Sequence, residues 1–564
     1  MTLKHLLILL VATIEFATAQ TPDWLWAKRF GGTAHDVSYS SCSDGHEYIY
    51  MTGAFTCCSI ILGADTLTSA GDYDYFIAKM DTSGNVIWAK RGGGNAEDIA
   101  SFITIDGQGN LYISGYFKSD TIQIGNNTFF NADDISSNYG DLFIAKYDSS
   151  GNVLWAKTGA GRFGDRVGGI APDRFGNVYV TGSFDGDSIR FGNDLLVNPS
   201  IAYTGMFIAK YDSSGNLLRL TGEYSGGNSS GNSILADHDG NIFISGYFDA
   251  AAIFGGSFQV MGKCITSGCT DYFVAKYDSA GNLLWTAGND GSGNGYVNGG
   301  AMFIDSQNNL LVTGSFSSST AKFGNYTLSN NNSMINTSSD VYIVKYSPLG
   351  NVLWAIRAGG EFTDRSSVIR TDRFNDVYLT GSADEYRITV DTTTYTENFF
   401  GGFVLKVTGN GEAMWAKGIY GGGSGLILDS LGSVFVSGSF PYASAYFGND
   451  TLTNIGNGTA DIYLARIDSS AHGTITGINS PGYDIQSLKV FPNPVHTNCT
   501  IHTEVNLHDA ILNVYNVYGQ LVLQMNHLSG NQFRIQTEQL HSGVFFLELE
   551  EAGIKVGIGN MIVE

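Results

Sequence analysis

The strongest constraint on this chain is a segment that recurs seven times. The stretch running from Phe143 through Trp155 to Lys157 returns with small changes, its basic residue falling at Lys79, Lys146, Lys210, Lys276, Lys345, Lys406 and Arg466. Copies roughly 60–70 residues apart are one supersecondary unit repeated, because each must bury its apolar face against a neighbour. The second copy reads as four strands: Ser101 to Ile105, Asn110 to Phe117, Leu142 to Tyr147 and Asn152 to Lys157. The turns at Asp106 to Gly109 and Asp148 to Gly151 suit tight hairpins, since glycine takes the positive-φ position and aspartate bonds its own backbone.

Four antiparallel strands taken seven times predict an all-β fold, a seven-bladed β-propeller. The chain ends add to this. The last copy, Asp461 to Arg466, has no tryptophan strand after it, whereas an orphan tryptophan strand, Asp23 to Lys28, stands near the beginning. Residues 23–29 are therefore expected to complete the last blade and close the ring, leaving no exposed edge. Trp26, Trp88, Trp155, Trp285, Trp354 and Trp415 share one repeat position, with Arg219 in their place in the third copy. Regular placement in the outer strand points to packing between blades, not to a sugar platform.

Composition agrees with a folded, turn-rich chain. It has 73 glycines in 564 residues, 43% apolar and 13% aromatic residues, and only 15% charged residues. That apolar content excludes disorder, and the net charge of −23 excludes a basic nucleic-acid stripe. Residues 1–19 read as a secretory signal: Lys4, an apolar run from Leu6 to Ile14, and Ala17-Thr18-Ala19 before a cut at Gln20. No later stretch has the ~20 apolar residues of a membrane-spanning helix. In an oxidising compartment Cys264 and Cys269 are the easiest pair to join, and no CxxC motif supports zinc.

The repeat occupies residues 20–473, a linker follows at 474–487, and residues 488–564 alternate apolar and polar positions in six short stretches. These are Thr500 to Val505, Ala510 to Val517, Gln520 to Met525, Gln532 to Gln536, Val544 to Leu549 and Lys555 to Val563. A small Ig-like β-sandwich is the expected packing. Three blocks in this segment, Val490 to Pro494, Leu512 to Val522 and Leu540 to Phe546, resemble the C-terminal sorting domain of type IX secretion cargo in Bacteroidetes. The resemblance implies an address carried by Pro492, Asn493, Pro494, Gly519, Gly543 and Lys555. It implies passage through the periplasm, contact with the type IX machinery, and release or attachment at the outer-membrane surface. The chain departs from the family in having no second basic residue after Lys555. The repeat half resembles the β-propeller-repeat (SBBP) proteins of bacterial surfaces over residues 23–467, through its Gly-Asn-x-Tyr-x-x-Gly-x-Phe and Asp-x-x-Gly-Asn-x-x-Trp patterns. That family brings an architecture and no common reaction.

Function is less marked. Long two-to-three inserts and glycine-rich four-to-one connections fall on one face of a propeller, which makes that face the candidate for binding. Its connections carry Asp36, Asp98, Asp165 and Asp364 at one repeat position, expected at the mouth of the central channel. They could converge on a cation such as Ca²⁺, or each could bond the backbone of its own glycine turn. Insert tips at Asn126 to Thr128 and Ser329 to Ser333 suit hydrogen bonding to glycans or plain solvation. No cofactor is otherwise implied. Asp237-His238-Asp239-Gly240 has too few ligands for an EF-hand, and vicinal Cys57 and Cys58 lack the quinone ligands of a quinoprotein. The ten histidines form no HxH or HExxH motif. The expected function is non-enzymatic binding of an extracellular glycan or protein. The alternative is a polysaccharide hydrolase or lyase, which needs two channel carboxylates ~5–10 Å apart, free of neutralising arginines.

Overall fold

A computed structural model describes residues 22–132, 139–199, 203–249, 251–255, 258–261, 269–289, 295–330, 338–429, 432–456, 458–468, 486–516, 521–537, 540–551 and 554–563. The expected signal peptide and all but the last two residues of the expected linker lie outside them. The chain divides into two compact units, one within residues 19–473 and one built from residues 474–564. No helix among the described residues is long and apolar enough to cross a membrane.

The first unit consists of antiparallel sheets throughout. Seven four-stranded repeats span residues 36–92, 98–161, 165–225, 229–288, 297–359, 365–420 and 422–467, called repeats 1 to 7 here. In repeat 2 the strands are Asp98–Ile105, Leu111–Phe117, Asp141–Tyr147 and Val153–Gly161, paired in that order. Each first strand lies against the first strand of the next repeat, and Gly422–Leu428 of repeat 7 returns to Asp36–Ser43 of repeat 1. The repeats thus form a closed ring, an arrangement consistent with a β-propeller. Repeat 7 takes its fourth strand from the other end of the chain: Trp24–Phe30 pairs with Asp461–Ile467, Ala27 opposite Ala465 and Phe30 opposite Ile462.

The tryptophan position binds neighbouring repeats. Trp155 stacks on Tyr211 of repeat 3, with ring centroids 6.1 Å apart, and its Nε1–H donates to Ser213 O at 3.1 Å. Trp285 and Trp354 donate in the same way to Pro348 O and Gly409 O, at 3.1 and 3.0 Å. The indole of Trp155 lies on Gly215, where φ is +81° and an added Cβ would come within 2.8 Å of the ring. Glycine at that turn is therefore needed both for backbone conformation and for room.

The two-to-three inserts form short hairpins, such as Ser188–Phe191 with Asp194–Val197. Their first strands alternate, Ile189 and Phe191 being buried and Arg190 exposed. Their apolar side chains pack on their own repeat, Phe191 against Phe207 at 5.2 Å, Phe254 against Phe273 at 4.8 Å and Phe447 against Tyr463 at 5.0 Å. In repeats 3, 4 and 6 the hairpin also pairs with the fourth strand of the preceding repeat, through Gly159 opposite Phe191, Tyr224 opposite Ile253 and Ala358 opposite Val390. Edge carbonyls and amides of that outer strand would otherwise face solvent, so the insert covers an edge and ties two repeats together.

The C-terminal unit also differs in detail from the six short strands expected. Thr500 to Val505 and most of Ala510 to Val517 belong to one long strand, Asn498–Tyr515. Leu521–Gln536 is likewise continuous and pairs with it through several register shifts that absorb the polar residues between the apolar stretches. Gly543–Glu551 joins the other side of the long strand and Ile554–Val563 follows it. Leu488, Val495, Ile501, Leu512, Phe533, Leu547 and Met561 fill its core.

Candidate functional site

Asp36, Asp98 and Asp165 open the first strands of repeats 1 to 3, and Asp364 directly precedes that of repeat 6. All four are at most 2% exposed, so they lie inside the protein and not on an open channel mouth. Gly32 N–H donates to Asp36 Oδ2 at 2.5 Å, Gly94 N–H to Asp98 Oδ2 at 2.5 Å, and Gly360 N–H to Asp364 Oδ2 at 2.9 Å. Asp98 also accepts from Ser119 Oγ at 2.7 Å. The backbone N–H groups of Asp36, Asp165 and Asp364 donate to Ala460 O, Gly140 O and Ser339 O of the preceding repeats. Each of these three residues therefore fastens its strand to the neighbouring repeat, and the side chains of Asp36, Asp98 and Asp364 fasten their own glycine turns.

A second set of acids stands beside them. Asp74, Asp141, Asp340 and Asp461, all 0% exposed, sit at the head of third strands, five residues before the repeat lysine or arginine. That spacing was readable in the sequence, but only the fold brings the two sets together. A side chain at Gly31 would collide with both Asp461 and Asp36, and one at Gly359 with both Asp340 and Asp364. Arginines neutralise three of the second set: Arg29 to Asp461 at 2.9 Å, Arg91 to Asp74 at 2.8 Å, and Arg357 to Asp340 at 2.8 Å. Such carboxylates do not face a substrate, which leaves the hydrolase or lyase reading without its acid pair at these positions. Among the described residues, no group of three or more His, Cys, Asp or Glu side chains is arranged to hold a metal ion.

Burial, assisted by the charge of Asp461, pushes Asp36 up to about 7 against the opposing bond from Gly32, and burial pushes Asp98 up to about 6. The folded chain thus keeps a proton on Asp36 that the unfolded chain has released above pH ~4. Stability from this group is full below that pH and declines as pH rises toward 7. For Asp36→Asn, which keeps an acceptor for Gly32 N–H, thermal unfolding from pH 5 to 8 should show a gain over the parent that grows with pH. Between pH 5 and pH 8 the gain should grow by on the order of 2–3 kcal/mol. A difference independent of pH would remove Asp36 as the source.

Antiparallel order places the ends of second and fourth strands, and the starts of first and third strands, at one end of every repeat. At that end Tyr139, Phe163, Tyr203, Phe362 and Tyr442 are exposed. Tyr139 and Phe163 meet edge to face at 5.5 Å, and Arg162 lies over Phe163 at 5.5 Å. Sequence reading found this end through its variable loops but passed over its aromatics, which follow no repeat. The opposite end holds the uniform turns. Asp106 Oδ1 accepts from Gln108 N–H and Asn110 N–H, and Asp237 Oδ1 likewise from Asp239 and Asn241. These aspartates are turn formers.

Cys42, Cys57, Cys58 and Cys499 are free thiols. Cys269 is disulfide-bonded, and Cys264, its expected partner, lies outside the described residues. In the C-terminal unit Asn493 Oδ1 accepts from Ile562 N–H at 2.8 Å, and Val495 N–H donates to Ile562 O at 2.7 Å. Pro492, Asn493 and Pro494 thereby lie in the connection from Lys489–Phe491 to Asn498–Tyr515, which is bonded to the last strand. Gly543 opens the strand Gly543–Glu551. The backbone of Lys555 lies opposite Glu550, and Gly519 is outside the described residues.

Residues 489–564 match the family described as the secretion system C-terminal sorting domain. An uncharacterized WD repeat-containing protein of Acanthamoeba polyphaga mimivirus is 24% identical over 474 residues, 72% of this chain and 34% of that protein. The chain thus spans about a third of that relative's length. A solved protein of unknown function from Bacteroides caccae is 11% identical, with 66% of this chain and 93% of that chain covered at a TM-score of 0.31. PorZ of Porphyromonas gingivalis, an essential bacterial surface component of its type IX secretion system, is 11% identical, with 95% and 100% covered at a TM-score of 0.15. Scores this low leave the fold to be read from the strand pairing itself.

Proposed function

We infer that this chain is exported through type IX secretion, to the cell surface or beyond it, as its C-terminal sorting domain implies. We propose that the chain is a secreted or outer-membrane surface protein of the Bacteroidetes kind, its SBBP-like repeats forming a seven-bladed β-propeller and residues 488–564 a small Ig-like sandwich that serves as address. The propeller binds an extracellular glycan without chemistry of its own. The observation that carries this reading is the exposed aromatic group at the variable end, Tyr139 against Phe163 with Tyr203 on the next repeat. Exposed rings offer flat apolar faces on which the face of a sugar ring can stack, and Arg162 beside Phe163 adds hydrogen-bond donors. The buried state of the aspartates supports binding over hydrolysis.

A glycan array probed with the chain should give a ranked set of glycan signals, with and without added Ca²⁺. The double variant Tyr139→Ala, Phe163→Ala should lose at least tenfold in those signals while its melting temperature stays within a few degrees. Signals unaffected by the double variant would move the site elsewhere. An array without signal would favour a protein partner.

A further inference from the structure

Repeat 3 breaks the pattern twice on one strand, Leu217–Ser225. Arg219 stands where the other repeats carry tryptophan. Four residues later stands Glu223, where the others have Phe30, Gly92, Gly159, Asn289, Ala358 and Ile419. Both residues line a cavity of about 1010 Å³ between repeats 3 and 4. Pockets for small molecules usually measure roughly 300–1,000 Å³, so this one is large for the class.

The missing tryptophan explains the space. At the neighbouring junctions Trp155 stacks on Tyr211, and Trp285 lies against Tyr346. Tyr277 is the corresponding tyrosine here, and no indole covers it. Its O–H instead donates to Glu223 Oε1 at 2.6 Å, and Gly255 N–H donates to Glu223 Oε2 at 3.1 Å. Arg219 keeps the bond to the next repeat's turn, donating from Nη1 to Ala280 O at 2.5 Å, but its slim, exposed side chain leaves the ring's volume empty.

The lining is apolar inside and cationic outside. Leu196, Ile208, Ile242, Phe254 and Leu283 form the walls. Glu223, 7% exposed, is the deep polar group, and both of its oxygens are already engaged. Arg219 is exposed, and Lys210 beside it is half-buried. The nearby acid Asp278 is occupied by Asn282, which donates from its backbone N–H at 2.7 Å and from Nδ2 at 2.8 Å. The two acids of the lining thus have partners of their own, Tyr277 and Gly255 for Glu223 and Asn282 for Asp278, which leaves the guanidinium of Arg219 and the ammonium of Lys210 as the charged donors at the mouth for an incoming anion.

We propose that this pocket binds an amphiphile with an acidic head group, of the fatty-acid type: its hydrocarbon chain lies between the walls and its carboxylate meets Arg219 and Lys210. Arginine suits that head because its planar fork can hold both carboxylate oxygens.

The test is a fluorescence titration of the full chain with cis-parinaric acid, displaced by dodecanoate or by dodecyltrimethylammonium. Saturable binding is expected, displaced at least tenfold more readily by dodecanoate and weakened by salt. Arg219→Trp installs the residue that six repeats already use, so it should abolish binding while raising or preserving the melting temperature. Arg219→Gln leaves the space and removes the charge; it should weaken binding at least tenfold and flatten the salt dependence. This second variant decides the matter if Arg219→Trp does not fold. Absence of saturable binding, equal binding by either folded variant, or equal displacement by the cationic amphiphile would each overturn the proposal.

Discussion

A chain lacking residues 23–30 should no longer unfold as one cooperative ring. The deletion removes Trp24 and Phe30 from cores they help to fill, and takes Arg29 from buried Asp461. Loss of a large buried side chain costs about 3–5 kcal/mol, and stripping a buried acid of its partner costs about as much again. The total, on the order of 10 kcal/mol, is comparable with the whole stability of an ordinary domain. Repeat 7 would also present the edge of Asp461–Ile467 as an open template for other chains. Calorimetry should show a broadened transition at least ten degrees lower, and size-exclusion chromatography should show association. A peptide of residues 22–30 added in excess should restore part of both. Unfolding at the parent temperature would mean that the seventh repeat stands on three strands.

Trp155→Ala should be strongly destabilising. Its ring is 8% exposed, stacked on Tyr211 and bonded to Ser213 O. Truncation leaves a cavity between repeats 2 and 3 that the closed ring cannot collapse, with an expected loss of about 3–5 kcal/mol. Arg219→Ala, at the same position one repeat later, should cost less than about 1 kcal/mol, because its exposed side chain fills no comparable volume. Chemical denaturation of the two variants makes the comparison directly. Equal losses would mean that this position owes its tryptophan to something other than packing between repeats.

The comparison of those two residues marks how far the sequence could be read. Repetition of one residue pattern was visible without coordinates, and so was the orphan strand beginning at Trp24, because strand period and turn chemistry are local properties. Arg219 was visible as an exception too. What could not be read was the volume left behind, which depends on Tyr277, Leu196 and Phe254 arriving from three other segments. The aspartates illustrate a different limit. Residue type and repeat position identify Asp36 and Asp98 as special, yet whether a carboxylate faces water or its own loop is decided by backbone geometry four residues away. The partner acids Asp461 and Asp74 come from other strands, so their influence on Asp36 and Asp98 had no signature in either local sequence. In the C-terminal unit, polar residues between Val505 and Ala510 resemble a loop, but register shifts accommodate them within one strand.

Closure of the ring by its first strand also fixes an order in time. Arg29 meets Asp461, 432 positions further along the chain, so the earliest strand to be synthesised is the last to find its partner. Until the region around Asp461 has emerged, that strand must wait while six complete repeats assemble beside it. Contacts of such long range form slowly, and the open edge of the growing array is exposed for the whole delay. The sorting domain begins shortly after that closing partner, which makes completion of the ring and arrival of the address nearly simultaneous events on the nascent chain.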